Sequence, residues 1–186
     1  MSTEKVEVDP SSAYRLLHPR NTVLVSCADE AGTPNVITLA WAMPTSVLPP
    51  MVAISVSPRR YSHGLIQNTR EFVINIPTIE MVRETFYCGS KSGRKVDKFL
   101  ESGLTPVNAK KVKPPIIGEC VAHLECKVVG QVSTGDHTIF IGEVLAAYAD
   151  RGFDPRKIKP IFHAGGDEFL TSTWQVIKPG LDSGKI

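Results

Sequence analysis

Two long segments of alternating polar and apolar residues, 122–132 and 137–148, constrain the fold of this chain more than any other feature. In the first segment, every second residue from His123 onward is polar, and the residues between them are apolar up to Val128. A period of two places alternate side chains on opposite faces of a strand, so one face is expected to be buried. Residues 133–136 supply a turn between the two strands, which predicts an antiparallel hairpin.

The rest of the chain is also rich in predicted strands. Further strands are predicted at 22–28, 35–41, 51–57, 71–76 and 160–163, and helices at 11–17, 62–68, 79–87 and 94–102. Pro44, Pro49 and Pro50 are expected to bound a connection between two of these strands. Hairpins with few interposed helices predict a mainly β protein, a β-barrel or closed sheet with helical insertions.

Length and composition exclude several classes of protein. With 186 residues, we expect one domain, 1–186, with a core at about 12–175 and flexible tails, disordered from Lys178. A net charge of +2 without a basic stripe argues against nucleic-acid binding. The polar N-terminus is no signal peptide and no apolar stretch could cross a bilayer, so we expect a cytoplasmic protein with no membrane partner. The four Cys form no CxxC pair, which favours buried reduced thiols and no metal site.

A basic turn before a helix, residues 57–62, is the first candidate for a binding site. Ser62 is predicted to cap the helix, whose first backbone N–H groups and dipole favour an anion. Arg59 and Arg60 could add charge-assisted hydrogen bonds to a phosphate. The alternative is an ordinary capped helix with two solvated arginines.

The end of the strand at 35–41 is the second candidate. Thr38 and Ala40 share one side of this strand, while Asn35 and Trp41 share the other. Small residues let a flat ring approach the backbone closely. A Trp that simply packs in the core is the alternative at position 41.

His137 and the segment 89–99 carry weaker signals. His137 follows a hairpin turn, so it could contact a ligand, donate a proton or lie on the surface. The segment 89–99 is polar, contains glycines and leads into a helix, which also fits a solvated loop. His123, beside Glu125 within a strand, is expected to be structural.

Taken in order, these segments resemble the flavin reductase-like family, and its flavoredoxin-type members in particular, over about residues 12–175. The motifs that carry the resemblance are residues 33–41, 46–50, 57–62, 71–75, 92–99, 135–143 and 160–166. The resemblance implies a split β-barrel of the Greek-key type that binds FMN without a covalent bond, as a homodimer.

The resemblance also implies an FMN site. Its members would be Asn35, Thr38, Ala40, Trp41, Ser55, Val56, Ser57, Arg60, Ser62, Lys98, His137 and Phe169. The first seven would line the ring and the ribityl chain. Arg60 and Ser62 would hold the phosphate, with Arg59 as a possible substitute, and Lys98 would approach the phosphate or the ring.

Two further roles follow from the same resemblance. His137, the catalytic candidate, would lie where the reductant docks. Phe169 would cover the flavin, with Phe162 as the competing residue.

The function implied by the resemblance is an oxidoreductase that passes electrons from NAD(P)H or a redox protein, through FMN, to an acceptor. One alternative is an FMN-binding electron carrier with little catalysis of its own. Another is a split barrel that binds heme or a small ligand, with His137 and His163 as the axial ligands. The sequence leaves the donor and the acceptor open.

Overall fold

A computed structural model describes residues 3–172, and the statements below concern that part of the chain. The tail from Lys178 and the last residues of the expected core, 173–175, lie outside it. The strands are β1 (Arg20–Asn21), β2 (Val23–Ala28), β3 (Pro34–Leu39), β4 (Ala42–Ser46), β5 (Met51–Val56), β6 (Glu71–Ile76), β7 (Pro106–Val107), β8 (Ile116–Ile117), β9 (Ala122–Thr134), β10 (His137–Ala149), β11 (Phe162–Gly165) and β12 (Glu168–Leu170). The helices are α1 (Tyr61–Thr69), α2 (Val82–Ser90) and α3 (Lys98–Ser102), with 3-10 helices at Pro10–Leu17 and Ile79–Met81.

Seven strands form one antiparallel sheet in the order β3-β2-β6-β9-β10-β5-β4. The β9–β10 hairpin is confirmed, with His137 opposite Thr134 across the turn. A register shift in β10 falls next to Gly142, where a Cβ atom would meet the Phe72 ring at 2.6 Å. Bulges of this kind bend a sheet, and the curled sheet encloses a core on its inner face.

Strand β2 is buried along its whole length because the sheet is covered on both sides. On the inner face, Val25 packs in a core with Phe72 and Phe140. On the outer face, Leu24 packs in a second core with Cys88 of α2. A strand buried on both faces has no need for polar alternation, which explains the continuous apolar run in its sequence.

One face of β9 was expected to be buried, and Glu125, on the opposite face, is buried as well. The side chain of Glu125 is fully buried because the segment after β7 folds over it. Its carboxylate accepts hydrogen bonds from the backbone N–H of Lys110, at 2.8 Å, and of Lys111, and from the Tyr148 hydroxyl. These three donors satisfy a charge that would otherwise be costly to bury.

Several predicted element boundaries also change. β4 replaces the expected connection, because an edge strand pairs on one side only and therefore tolerates Pro44. Helix α1 begins at Tyr61 rather than after Ser62, and Arg60 occupies its N-cap position without a side-chain cap. The helix predicted at 94–102 is shorter in the structure and corresponds to α3. The strand predicted at 160–163 begins later and corresponds to β11.

A small sheet in the order β1-β11-β12 lies beside the main one. It pairs Arg20 with His163 and His163 with Phe169. This sheet brings residues from both ends of the chain to the edge of the site described next.

Candidate functional site

A groove runs between the end of β3, the N-terminus of α1, the end of α2 and the small sheet. It consists of three adjoining cavities of about 460, 250 and 130 Å³, and Arg60 and Gly89 line all three. Taken together, the three cavities have the size that is typical of small-molecule sites. The predicted site residues that line the groove are Thr38, Ala40, Trp41, Ser55, Val56, Ser57, Arg60, Ser62, Lys98, His137 and Phe169.

Asn35 lies behind the wall of the groove rather than on its surface. Its side chain is buried, and its Nδ2 donates a hydrogen bond to Ser62 Oγ at 2.8 Å. A Cβ atom at Gly93 would overlap Asn35 Oδ1, so the chain approaches Asn35 as closely as only glycine permits. The structure thus gives Asn35 the position of a residue that orients Ser62.

The smallest cavity is the anion-binding end of the groove. It is lined by the start of α1, by Arg59, Arg60 and Ser62, and by Lys98. Because Ser62 is the second residue of α1 and no side chain within residues 3–172 caps the helix, the first backbone N–H groups are available to a ligand. The helix dipole favours an anion at this point.

Lys98 is a buried cation at this end of the groove, with only 5% of its surface exposed. Its Nζ donates to the carbonyl oxygens of Val36, at 2.8 Å, and Cys88, at 2.6 Å. No carboxylate within residues 3–172 forms an ion pair with it. Burial lowers the pKa of this ammonium group, and a bound anion would compensate its charge.

Arg59 has an alternative partner. Its Nη2 lies 3.8 Å from Asp136 Oδ2, and its side chain is 85% exposed. An exposed pair of this kind contributes little to stability. Arg59 therefore remains available at the rim of the anion-binding end.

Trp41 and His137 form the aromatic end of the groove. Trp41 lies between β3 and β4, and 36% of its surface is exposed, so it is not simply a core residue. The ring centroids of Trp41 and His137 are 4.6 Å apart, with the planes inclined by 31°. His137 Nδ1 donates to Asp136 Oδ1 at 2.7 Å, and this hydrogen bond lowers the pKa of Asp136.

Five buried polar atoms along the groove have no hydrogen-bond partner among the described residues. They are Arg20 Nε, Thr22 Oγ1, Ser57 Oγ, Thr85 Oγ1 and His163 Nδ1. Most buried polar groups in proteins are hydrogen-bonded. Their position around the two larger cavities indicates that a polar ligand would supply the missing partners.

Sequence reasoning missed part of the site. Residues that line the groove but were not predicted include Tyr14, Arg20, Thr22, Thr85 and Phe86. Of the two aromatic candidates for covering the groove, Phe169 lines it, with its ring centroid 6.3 Å from that of Phe86. His163, considered only as a heme ligand, also lines the groove. Apart from His163, which lies in the motif 160–166, no local motif marks these positions.

Within residues 3–172, no group of three or more His, Cys, Asp or Glu side chains is placed to hold a metal ion. None of the helices in the same range is long and apolar enough to span a membrane.

Known proteins resemble this chain over most of its length. A family described as the flavin reductase like domain matches residues 14–167. A protein of Archaeoglobus fulgidus is 39% identical over 168 residues, covering 88% of this chain and 94% of its own. The flavoredoxin of Desulfovibrio vulgaris (Miyazaki F) superimposes with a TM-score of 0.84 at 30% identity, over 99% of this chain and 100% of its own. The flavoredoxin of Methanosarcina acetivorans gives 0.84 at 28% identity, over 98% of each chain. The predicted split barrel is thereby confirmed.

Proposed function

The chain belongs to the flavin reductase-like family, and from that premise we propose that it binds FMN non-covalently and uses it to transfer electrons. The observation that carries this proposal is the groove itself. One end presents a helix N-terminus with Arg60 and Lys98, which form no ion pair within residues 3–172, and the other presents small residues and aromatic rings. This arrangement suits a molecule with a phosphate at one end and a flat ring at the other.

The anion-binding end fits the phosphate of FMN. Arg60 and Lys98 would supply charge, and Ser62 Oγ, together with the first backbone N–H groups of α1, would supply hydrogen bonds. Because Lys98 lacks an acidic partner among residues 3–172, a phosphate would complete its coordination. A single-phosphate cavity of about 130 Å³ also favours FMN over FAD.

The other end fits the ring and the ribityl chain. Thr38 and Ala40 leave room for close approach, and Ser57 Oγ can meet a polar group of the ligand. FMN supplies the redox chemistry when bound, whereas the protein holds it and controls access. His137 is the proposed catalytic residue, since its Nδ1–H is fixed by Asp136 and its Nε2 is left to exchange a proton with a ligand.

A homodimer is part of the proposal. The outer face of β4, β5 and β10 carries a cavity of about 410 Å³, lined largely by apolar residues that include Met43, Ala53 and Ile139. Beside it, the turn after β4 exposes 92% of Val47 and 90% of Leu48. Extended exposed apolar surface marks protein interfaces.

Sedimentation analysis tests the dimer and should give twice the chain mass. Met43→Lys should shift the protein toward monomer. A monomeric FMN-loaded wild type would contradict the dimer.

The donor is proposed to be NAD(P)H or a small redox protein, and the reaction is placed in the cytoplasm. Four free, buried thiols are consistent with a reducing compartment. The test is an absorption spectrum of the FMN-loaded protein before and after anaerobic addition of NADH or NADPH. Bleaching supports an NAD(P)H-dependent oxidoreductase. A yellow protein that stays oxidised supports an electron carrier served by another protein, and a protein that takes up no FMN refutes the proposal.

A further inference from the structure

Arg20 is a half-buried cation at the aromatic end of the groove, and it has no acidic partner within residues 3–172. It lines the cavity of about 250 Å³ together with Trp41 and His137. Its Nε–H is buried and donates to no acceptor among the described residues. Burial lowers the pKa of the guanidinium, yet Arg stays charged in proteins. Such a group favours an anionic ligand.

His18 holds the guanidinium in place without neutralising it. Arg20 Nη2 lies 2.7 Å from His18 Nε2, and His18 Nδ1 lies 3.0 Å from the backbone oxygen of Arg15. A carbonyl oxygen can only accept, so Nδ1 carries the hydrogen and Nε2 accepts from Arg20. The imidazole is therefore neutral in this arrangement, and the full charge of Arg20 remains available to a ligand.

The surroundings of Arg20 are aromatic. Its guanidinium carbon lies 5.3 Å from the Trp41 ring centroid and 5.9 Å from that of Tyr14. Across the β1–β11 pair it stands opposite His163, which also lines the cavity and whose Nδ1 has no described partner. Aromatic walls around a fixed cation favour a flat ring that carries a negative substituent.

Arg20 is separate from the anion-binding end. It does not line the cavity of about 130 Å³ that holds Ser62 and Lys98, although Arg60 and Gly89 connect the two spaces. A phosphate bound at Lys98 therefore leaves Arg20 without an anion. The groove has two positive positions, and a single-phosphate cofactor accounts for only one.

We infer that Arg20 and the rings around it form a subsite for the carboxylate of a planar aromatic acid, bound beside the cofactor as the substrate. The guanidinium fork matches a carboxylate in shape and charge. This inference rests on the proposed function only in calling the bound acid a substrate. Binding at the subsite can be measured with or without FMN.

The experiment compares benzoate with its neutral analogue benzamide by isothermal titration calorimetry, on FMN-loaded and FMN-free protein. We expect wild type to bind benzoate at least about tenfold more tightly than benzamide, as loss of a charged hydrogen bond implies. Arg20→Gln should lower benzoate affinity by about the same factor and leave benzamide nearly unchanged. Arg15→Gln is the matched control, because Arg15 lies equally far, 5.9 Å, from the Tyr14 ring but is exposed.

Two results would overturn the inference. One is equal binding of benzoate and benzamide by wild type, and the other is an equal loss of benzoate affinity in Arg20→Gln and Arg15→Gln. If Arg20→Gln does not fold, Arg20→Lys and the wild-type preference decide the question. A wild type that fails to bind FMN refutes the proposed function, whereas the FMN-free titration still decides the subsite.

Discussion

Replacing Lys98 by Met is the sharpest test of the anion-binding end. The ammonium group of Lys98 is buried, and its described hydrogen-bond partners are the carbonyls of Val36 and Cys88. Met retains most of the side-chain volume and removes the charge. The effect on ligand binding can therefore be separated from the effect on packing.

The expected effect on the flavin-free protein is small because two effects oppose each other. The carbonyls of Val36 and Cys88 lose a donor, at a cost of roughly 1–3 kcal/mol for each buried unpaired group. A buried charge, whose desolvation costs several kcal/mol, is removed at the same time. We expect the free energy of unfolding to change by no more than about 2 kcal/mol.

The expected effect on FMN is large. Loss of one charge-assisted hydrogen bond to the phosphate costs about 1.5–3 kcal/mol, or a tenfold to hundredfold rise in the dissociation constant. Quenching of flavin fluorescence measures this constant. Riboflavin, which lacks the phosphate, should bind wild type and Lys98→Met equally well.

Lys91→Met is the matched control, because Lys91 lines the same cavity but is exposed to solvent. Solvent screening should limit its effect to about threefold. Equal losses of FMN and riboflavin affinity in Lys98→Met would refute the reasoning, since Lys98 would then act at the ring or through the fold. Equal effects of the two variants on FMN would also refute it.

Three further outcomes are expected. In a urea titration, Gly93→Ala should lower the unfolding free energy by about 1–3 kcal/mol, because the new Cβ would overlap Asn35. Gly64→Ala, which adds a Cβ in open space on α1, should raise the unfolding free energy by about 0.5–1 kcal/mol. Burial lowers the pKa of His123 below 6.5, so just below that pH the unfolded chain binds more protons than the folded chain. The free energy of unfolding should therefore fall as the pH drops through this range. His123→Gln should flatten this part of the plot of unfolding free energy against pH. Glu125→Ala should cost about 1–3 kcal/mol for each part-buried donor left without its acceptor, measured by calorimetry. An unchanged melting temperature would contradict this.

Local patterns predicted the strands well where hydrophobic burial alone decides the structure. Strand β6 was predicted with its observed bounds, and the β9–β10 hairpin follows from its alternation. β4 was missed because Pro44 suggests a connection, and only tertiary placement shows that it belongs to an edge strand. Periodicity does not distinguish an exposed strand face from one covered by a distant segment, as Glu125 shows.

The same limit applies to the site. Thr38 and Trp41 lie in a continuous motif, so a pattern in the chain points to them. Arg20 and His163 are far apart in the sequence and become neighbours only through the β1–β11 pair. Residues that are brought together by strand pairing show no characteristic spacing in the sequence. They can be assigned to one site only when the pairing of the strands is known.

The double burial of β2 has a consequence for how the molecule opens. Its inner side chains belong to the core around Phe72, and its outer side chains belong to the core beneath α2. If β2 detaches from the sheet, both cores lose side chains at the same time, so neither core can open at β2 while the other stays intact. The amide protons of β2 should therefore exchange with solvent only when the whole domain unfolds.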